Sequence, residues 1–151
     1  AVVYLSMGFG NPYGDEWSTE IVQQWASELV DKGVKILALS DTTGVSTPEK
    51  IKTLLPALIN SFTTANIGLH LHSTPDIRLE KIKAAFESGC QRFDSAIKGF
   101  GGCPMAADDL TGNMATEDVL QYLNGLDIHT GLNMEKFNEA MQFSNRVFTA
   151  S

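Results

Sequence analysis

Cysteine is scarce in this chain: Cys90 and Cys103 are the only two in 151 residues. That is too few for a disulfide scaffold, and a reducing compartment is the default expectation. Basic residues are also few, with 11 Lys and Arg against 18 Asp and Glu and a formal net charge of -7. No basic cluster is present to neutralise phosphates, which argues against nucleic acid and anionic membranes as partners. An anionic small substrate stays possible, because a metal or an arginine can reverse the field within one cleft. The apolar runs fall far short of a membrane span, so neither a span nor a basic-then-apolar leader is expected. Dinucleotide and nucleotide signatures are missing too. No GxGxxG or P-loop follows a predicted strand, and GFGG at Gly99 lacks an acidic partner at the right offset. No linker or low-complexity tract divides the chain, and its length suits one domain over residues 1–151.

What the chain does contain is a repeating strand-then-helix unit. Ala1 to Phe9 reads as an apolar, β-branched strand, and Ser18 caps a helix to about Lys32 with Ile21, Val22, Trp25, Ala26 and Leu29 as its apolar stripe. Gly33 stands where a left-handed residue closes that helix. Val34 to Leu39 is the second strand, and Thr47-Pro48 opens a second helix with Ile51, Leu54, Leu55 and Leu58 in helical period. Asn66 to His72 is the third strand, Thr74-Pro75 starts its helix and Gly89 ends it. Arg92 to Ile97 is the fourth strand, followed by a glycine-rich loop with Cys103 and a helix from Thr116 to about Leu123. A last amphipathic segment, Asn133 to Phe148, is expected to pack across the outside. Successive strand–helix units with nearly continuous apolar strands predict an α/β fold with a parallel sheet covered by helices. Four such units make half of an eight-fold βα barrel, the (βα)8 TIM barrel.

Polar and reactive residues gather where strands end and helices begin, which is where such folds place their sites. Side chains alternate along a strand, so Gly68, His70 and His72 share one face and Leu69 and Leu71 the other. Two neutral imidazoles with oxygen donors suit a divalent ion, and an oxygen-rich shell favours Mg or Mn over zinc. The alternative is a pair of polar residues satisfied at a strand end. Asn113, beside Gly112, can supply a carbonyl oxygen or act as an Asx-turn residue. Cys103, between Gly101-Gly102 and Pro104, has no adjacent cation to make it a thiolate. General acid–base work suits it, against simple loop packing. Asp41 is either a substrate-orienting carboxylate or the polar start of a loop. Glu117 reads as charge at a helix N-terminus, Cys90 as small hydrophobic packing and His129 as structural.

Taken together, GNPYGD near Asn11, LSDTTGVSTPE at Leu39 to Glu49, GLHLHST, GFGGCP, TGNMATED and IHTGLN resemble the 3-hydroxy-3-methylglutaryl-CoA lyase family, within the metal-dependent lyase and acyltransferase barrels. The resemblance runs over nearly the whole chain, and GGCP with GNxATED is fairly specific to the lyase branch. It implies His70, His72 and Asn113 as ligands of a divalent metal, Mg or Mn, and Cys103, His70 and Asp41 as catalytic residues. It further implies an acyl-CoA thioester substrate, cleaved by a retro-Claisen reaction into acetyl-CoA and acetoacetate. The chain matches the last four units of the family's barrel, and nothing in it matches the Arg–Glu/Asp motif of the family's first strand. Residues 1–151 are therefore expected to be a C-terminal half, with little activity alone. Ser73 replaces an acidic residue typical of the family, and the loop after GGCP is longer and more acidic, so acyl specificity is the feature these changes touch. A related metal-dependent aldolase or acyl-CoA synthase is the alternative enzyme, and an inactive binding module that keeps the metal site is the alternative outside catalysis. Open strand edges predict self-association into a homo-oligomer. The expected location is cytoplasmic, or the mitochondrial matrix if the source is eukaryotic.

Overall fold

The computed structural model describes residues 1–102 and 111–148. Its centre is a four-stranded parallel sheet in the order β1 (Val3–Leu5), β2 (Ile36–Ser40), β3 (Asn66–His70) and β5 (Phe93–Asp94). The connecting helices are α1 (Thr19–Asp31), α2 (Pro48–Ser61), α3 (Arg78–Glu87) and α4 (Thr116–Asn124), with α5 (Met134–Phe148) last. A second, antiparallel pair joins β4 (His72–Ser73) to β6 (Gly112–Asn113).

Local chemistry sets the helix ends. Ser18 accepts a hydrogen bond from the Ile21 backbone N–H at the start of α1, and Thr47 accepts one from Lys50 ahead of Pro48 in α2. Gly33 takes φ +95° behind α1, a conformation that costs glycine little. Leu37, Leu39, Ile67 and Leu69 project from the sheet into a core with Val22 and Ala26 of α1, Ile51, Leu54, Leu55 and Leu58 of α2, and Ile82 and Ala85 of α3. Each fully buried leucine or isoleucine there contributes about 1.5–3 kcal/mol of transfer free energy. The opposite sheet face carries Ala38 beside Gly68 and Ser40 beside His70, and the small Gly68 lets Arg92 approach closely: a Cβ there would stand 2.9 Å from Arg92 O.

Five expectations change in detail. The first strand ends at Leu5, because Met7 adopts φ 58° and the Gly8 N–H turns in to bond Ser40 O. The third strand leaves the parallel sheet at His70, and His72-Ser73 pair instead with Gly112-Asn113. That extended pairing, and the turn after it, delay α3 from Thr74 to Arg78, whose Nε donates to Ser73 Oγ at 3.3 Å. The fourth strand shrinks to Phe93–Asp94, after which Ala96 bridges Ala115. Trp25, placed in the α1 stripe by periodicity, lies at its edge and is half exposed, lining a shallow cleft with Leu5 and Trp17.

Candidate active site

The site grows from the C-terminal ends of β2 and β3. Alternation carries His70 and His72 to one side of the chain, and their rings meet edge-to-face with centroids 5.1 Å apart. Leu69 and Leu71, between and before them, are buried on the other side at 1% and 2% exposure. His72 is itself buried, and its Nδ1 lies 2.7 Å from the Asp41 backbone carbonyl. A carbonyl can only accept, so Nδ1 carries a proton, and in the neutral ring the lone pair then falls on Nε2. His70 is different. Its Nδ1 is buried without a hydrogen-bond partner among the described residues and lies 3.7 Å from Asp94 Oδ2. Burial, and secondarily the His72 ring beside it, hold His70 below the ordinary histidine value of 6.5, so it is neutral at neutral pH.

Asn113 reaches the same place from far along the chain. The β4–β6 register sets it opposite His72, as a strand residue rather than an Asx-turn residue. Its Nδ2 donates to Phe100 O at 2.8 Å and its backbone N–H to Gly101 O at 2.9 Å, while its side-chain oxygen takes no hydrogen bond among the described residues and can accept or ligate. Glycines make this approach possible. A Cβ on Gly112 would stand 2.7 Å from Gly99 O, and one on Gly102 would stand 2.7 Å from Thr111 O. Cys103 lies outside the described residues. Glu117 does more than complement a helix end, since it accepts a hydrogen bond from the Lys98 N–H.

His70 and Asn113 line an open cavity of about 440 Å³ with Tyr4, Phe93, Asp94, Ser95 and Ala96. Asp94 organises its wall. It accepts from the Tyr4 hydroxyl at 2.7 Å and pairs with Arg92 at 2.8 Å, and its hydrogen bond pushes the Tyr4 phenol above its ordinary value. Sequence reasoning passed over Asp94 and Tyr4, although the alternation that pairs His70 with His72 also pairs Arg92 with Asp94. Asp41, expected either beside the substrate or at the start of a loop, lies at the C-terminal end of β2. Its carboxylate has no exposed surface, and it is held by the Ser46 N–H, the Ser46 hydroxyl and Lys81 Nζ. Asp41 touches the site through its backbone carbonyl on His72. Cys90 packs in the core as expected, and burial pushes its thiol up to about 11. His129 is exposed.

Among the described residues no group of three or more His, Cys, Asp or Glu side chains converges to hold a metal. The donors that do meet are two imidazoles and an amide. With the Nδ1 proton of His72 committed to the Asp41 carbonyl, its Nε2 joins a His70 nitrogen and the Asn113 side-chain oxygen, neither of them hydrogen-bonded among the described residues, in a set that fits a mixed nitrogen–oxygen shell taking further oxygen donors from elsewhere.

The HMGL-like family model matches residues 5–143. The chain belongs to that family. It is 38% identical over 140 residues to the mitochondrial hydroxymethylglutaryl-CoA lyase of Mus musculus, covering 93% of this chain and 43% of that protein. The hydroxymethylglutaryl-CoA lyase of Pseudomonas aeruginosa superposes with a TM-score of 0.87 at 37% identity, over 99% of this chain and 50% of that one. An HMG-CoA lyase from Acinetobacter baumannii, solved in complex with coenzyme A and 3-methylmalate, gives 0.80 at 28% identity, over 96% of this chain and 47% of that one. The HMGL-like chain thus has the α/β, parallel-sheet fold of these barrel lyases and spans about half the length of the relatives it matches. No helix among its described residues is long and apolar enough to cross a membrane.

Proposed function

We propose that this HMGL-like chain is the C-terminal half of a (βα)8 barrel whose whole cleaves 3-hydroxy-3-methylglutaryl-CoA to acetyl-CoA and acetoacetate. The observation that carries the reading is the meeting of His70, His72 and Asn113 at the strand ends, in a chain of a family whose lyase members it matches at 38% identity. In this reading His70 and His72 hold a divalent Mg or Mn ion as neutral imidazoles, and Asn113 offers its side-chain oxygen. A bound ion would supply Lewis-acid polarisation of the substrate's oxygens.

The chain's own residues do the remaining work. His72 is kept in one tautomer by the Asp41 carbonyl. His70 lines the cavity and so contacts what occupies it, and Asp94 and Tyr4 shape the wall beside it. Cleavage breaks one carbon–carbon bond, the substrate's hydroxyl becomes a ketone by losing its proton, and the departing acetyl-CoA enolate takes a proton. Cys103 is the acid proposed for that last step, matching its place in the glycine-rich loop. The thioester partner accords with the coenzyme A bound by the A. baumannii lyase. The edges of the parallel sheet, β1 and β5, are where the rest of the barrel, or a second copy in a homo-oligomer, would pair. The compartment would follow the source: cytoplasmic, or the mitochondrial matrix in a eukaryote, where the mouse relative is mitochondrial.

The test is thioester cleavage with added Mg²⁺ or Mn²⁺, comparing this chain with the same chain extended N-terminally by the missing half-barrel. Acetyl-CoA and acetoacetate formed only by the extended protein, and lost on Cys103→Ala or His70→Ala, are the expected result. Absence of cleavage by both proteins refutes the assignment. A different product acid would instead identify a related aldolase or acyl-CoA synthase.

A further inference from the structure

Lys81 is the group that the proposed chemistry leaves unused and that burial makes conspicuous. It sits in α3 with its side chain 2% exposed, in a protein where lysines otherwise reach solvent. Its Nζ lies 2.8 Å from the His72 carbonyl oxygen, 3.4 Å from the Gly44 carbonyl oxygen and 3.4 Å from Asp41 Oδ2. One ammonium therefore ties three backbone segments together: the end of β2, the loop that follows it and the β4 strand.

The pattern closes on a single residue. Asp41 gives its carboxylate to Lys81 and its backbone carbonyl to the His72 ring at 2.7 Å, while Lys81 takes the His72 backbone carbonyl. His72 is thus gripped at ring and backbone by two residues that also grip each other. The Ser46 N–H and hydroxyl complete the Asp41 carboxylate, so its orientation does not depend on solvent. Gly44, whose carbonyl Lys81 also holds, lies against Thr111 and His72: a Cβ there would stand 2.7 Å from Thr111 Cγ2 and 3.8 Å from His72 Cβ. The clamp therefore abuts the segment that leads into Asn113.

We infer that Lys81 is a positioning residue for His72, acting through Asp41 to hold the ring in the tautomer with Nδ1 protonated and Nε2 bare. The inference rests on the reading of His72 as a metal ligand for its purpose, though not for its geometry. Outer contacts of this kind change metal affinity about 10–100-fold when removed.

The experiment uses the intact protein with ¹⁵N-labelled histidine and two variants, Lys81→Met alone and Lys81→Met combined with Asp41→Asn. The double variant avoids leaving a buried carboxylate without its cation, so it tests the clamp even where the single variant fails to fold. The first readout is the His72 ring nitrogen shifts without metal, and the second is Mn²⁺ affinity by titration. The expected result is a single Nδ1–H tautomer in the parent, a mixture in the folded double variant, and Mn²⁺ binding weakened about 10–100-fold. An unchanged tautomer and Mn²⁺ affinity within twofold of the parent would overturn the inference and leave Lys81 a fold brace only. If the parent binds no Mn²⁺, the metal reading fails, and the tautomer shifts alone decide the role of Lys81.

Discussion

Gly112→Ala tests the reasoning about how Asn113 reaches the histidines. The added Cβ would stand 2.7 Å from Gly99 O and 3.5 Å from Gly101 O. Even weak C–H···O contacts keep about 3.3–3.6 Å between carbon and oxygen. The atom in the way is backbone, so no rotamer change relieves the clash. The strand must move away from the 99–101 loop, taking with it the Asn113 N–H bond to Gly101 O and the Nδ2 bond to Phe100 O. Overpacking of this kind costs about 1–3 kcal/mol, which for a chain of this size lowers Tm by roughly 2–12 °C. Gly125→Ala is the matched control. Gly125 has φ -64°, and a Cβ there meets only ordinary contacts at 3.4 Å. Alanine at such a site stabilises by about 0.4–1 kcal/mol through the unfolded chain. Urea melts and Mn²⁺ titrations of both variants read the difference. Gly112→Ala should lose stability and metal affinity while Gly125→Ala loses neither. A Gly112→Ala protein as stable as its parent, with the same Mn²⁺ affinity, would refute the close-approach argument.

Three further outcomes follow from the same structure. The pKa of His70 is depressed in the fold, so below 6.5 the unfolded chain binds a proton that the native ring refuses. Stability should fall as pH drops from 6.5 through the native value, and His70→Asn should flatten that slope in urea midpoints measured across pH. Cys90, with its thiol pushed up to about 11 by burial, should resist iodoacetamide at pH 8 in the native protein and react once urea unfolds it. Native alkylation mapped to Cys90 would contradict its place in the core. Thr47→Ala should cost about 1 kcal/mol by removing the acceptor for the Lys50 N–H, read as a lower urea midpoint.

Much of this architecture was legible in the residues alone. Ser18, Thr47-Pro48 and Gly33 fixed the ends of α1 and the start of α2, because capping chemistry is local and acts within a single turn. Alternation placed His70 and His72 on one side of the chain, because successive Cβ atoms point to opposite faces wherever the backbone is extended. The parallel sheet followed from nearly continuous apolar strands that must be covered on at least one face by helices.

Only tertiary structure decided the rest. Strand composition does not reveal that β3 gives way to an antiparallel pairing after His70, since that partner, Gly112-Asn113, lies about forty residues further on. Asp41 read equally well as a substrate contact or as a loop residue. Its assignment turned on Lys81 and Ser46, brought to its carboxylate from a later helix and from the loop beside it. Asp94 became visible only when Tyr4, Arg92 and His70 were assembled around it. Periodicity and capping are set by neighbours in sequence, whereas the protonation of a histidine or the burial of a carboxylate is set by neighbours in space.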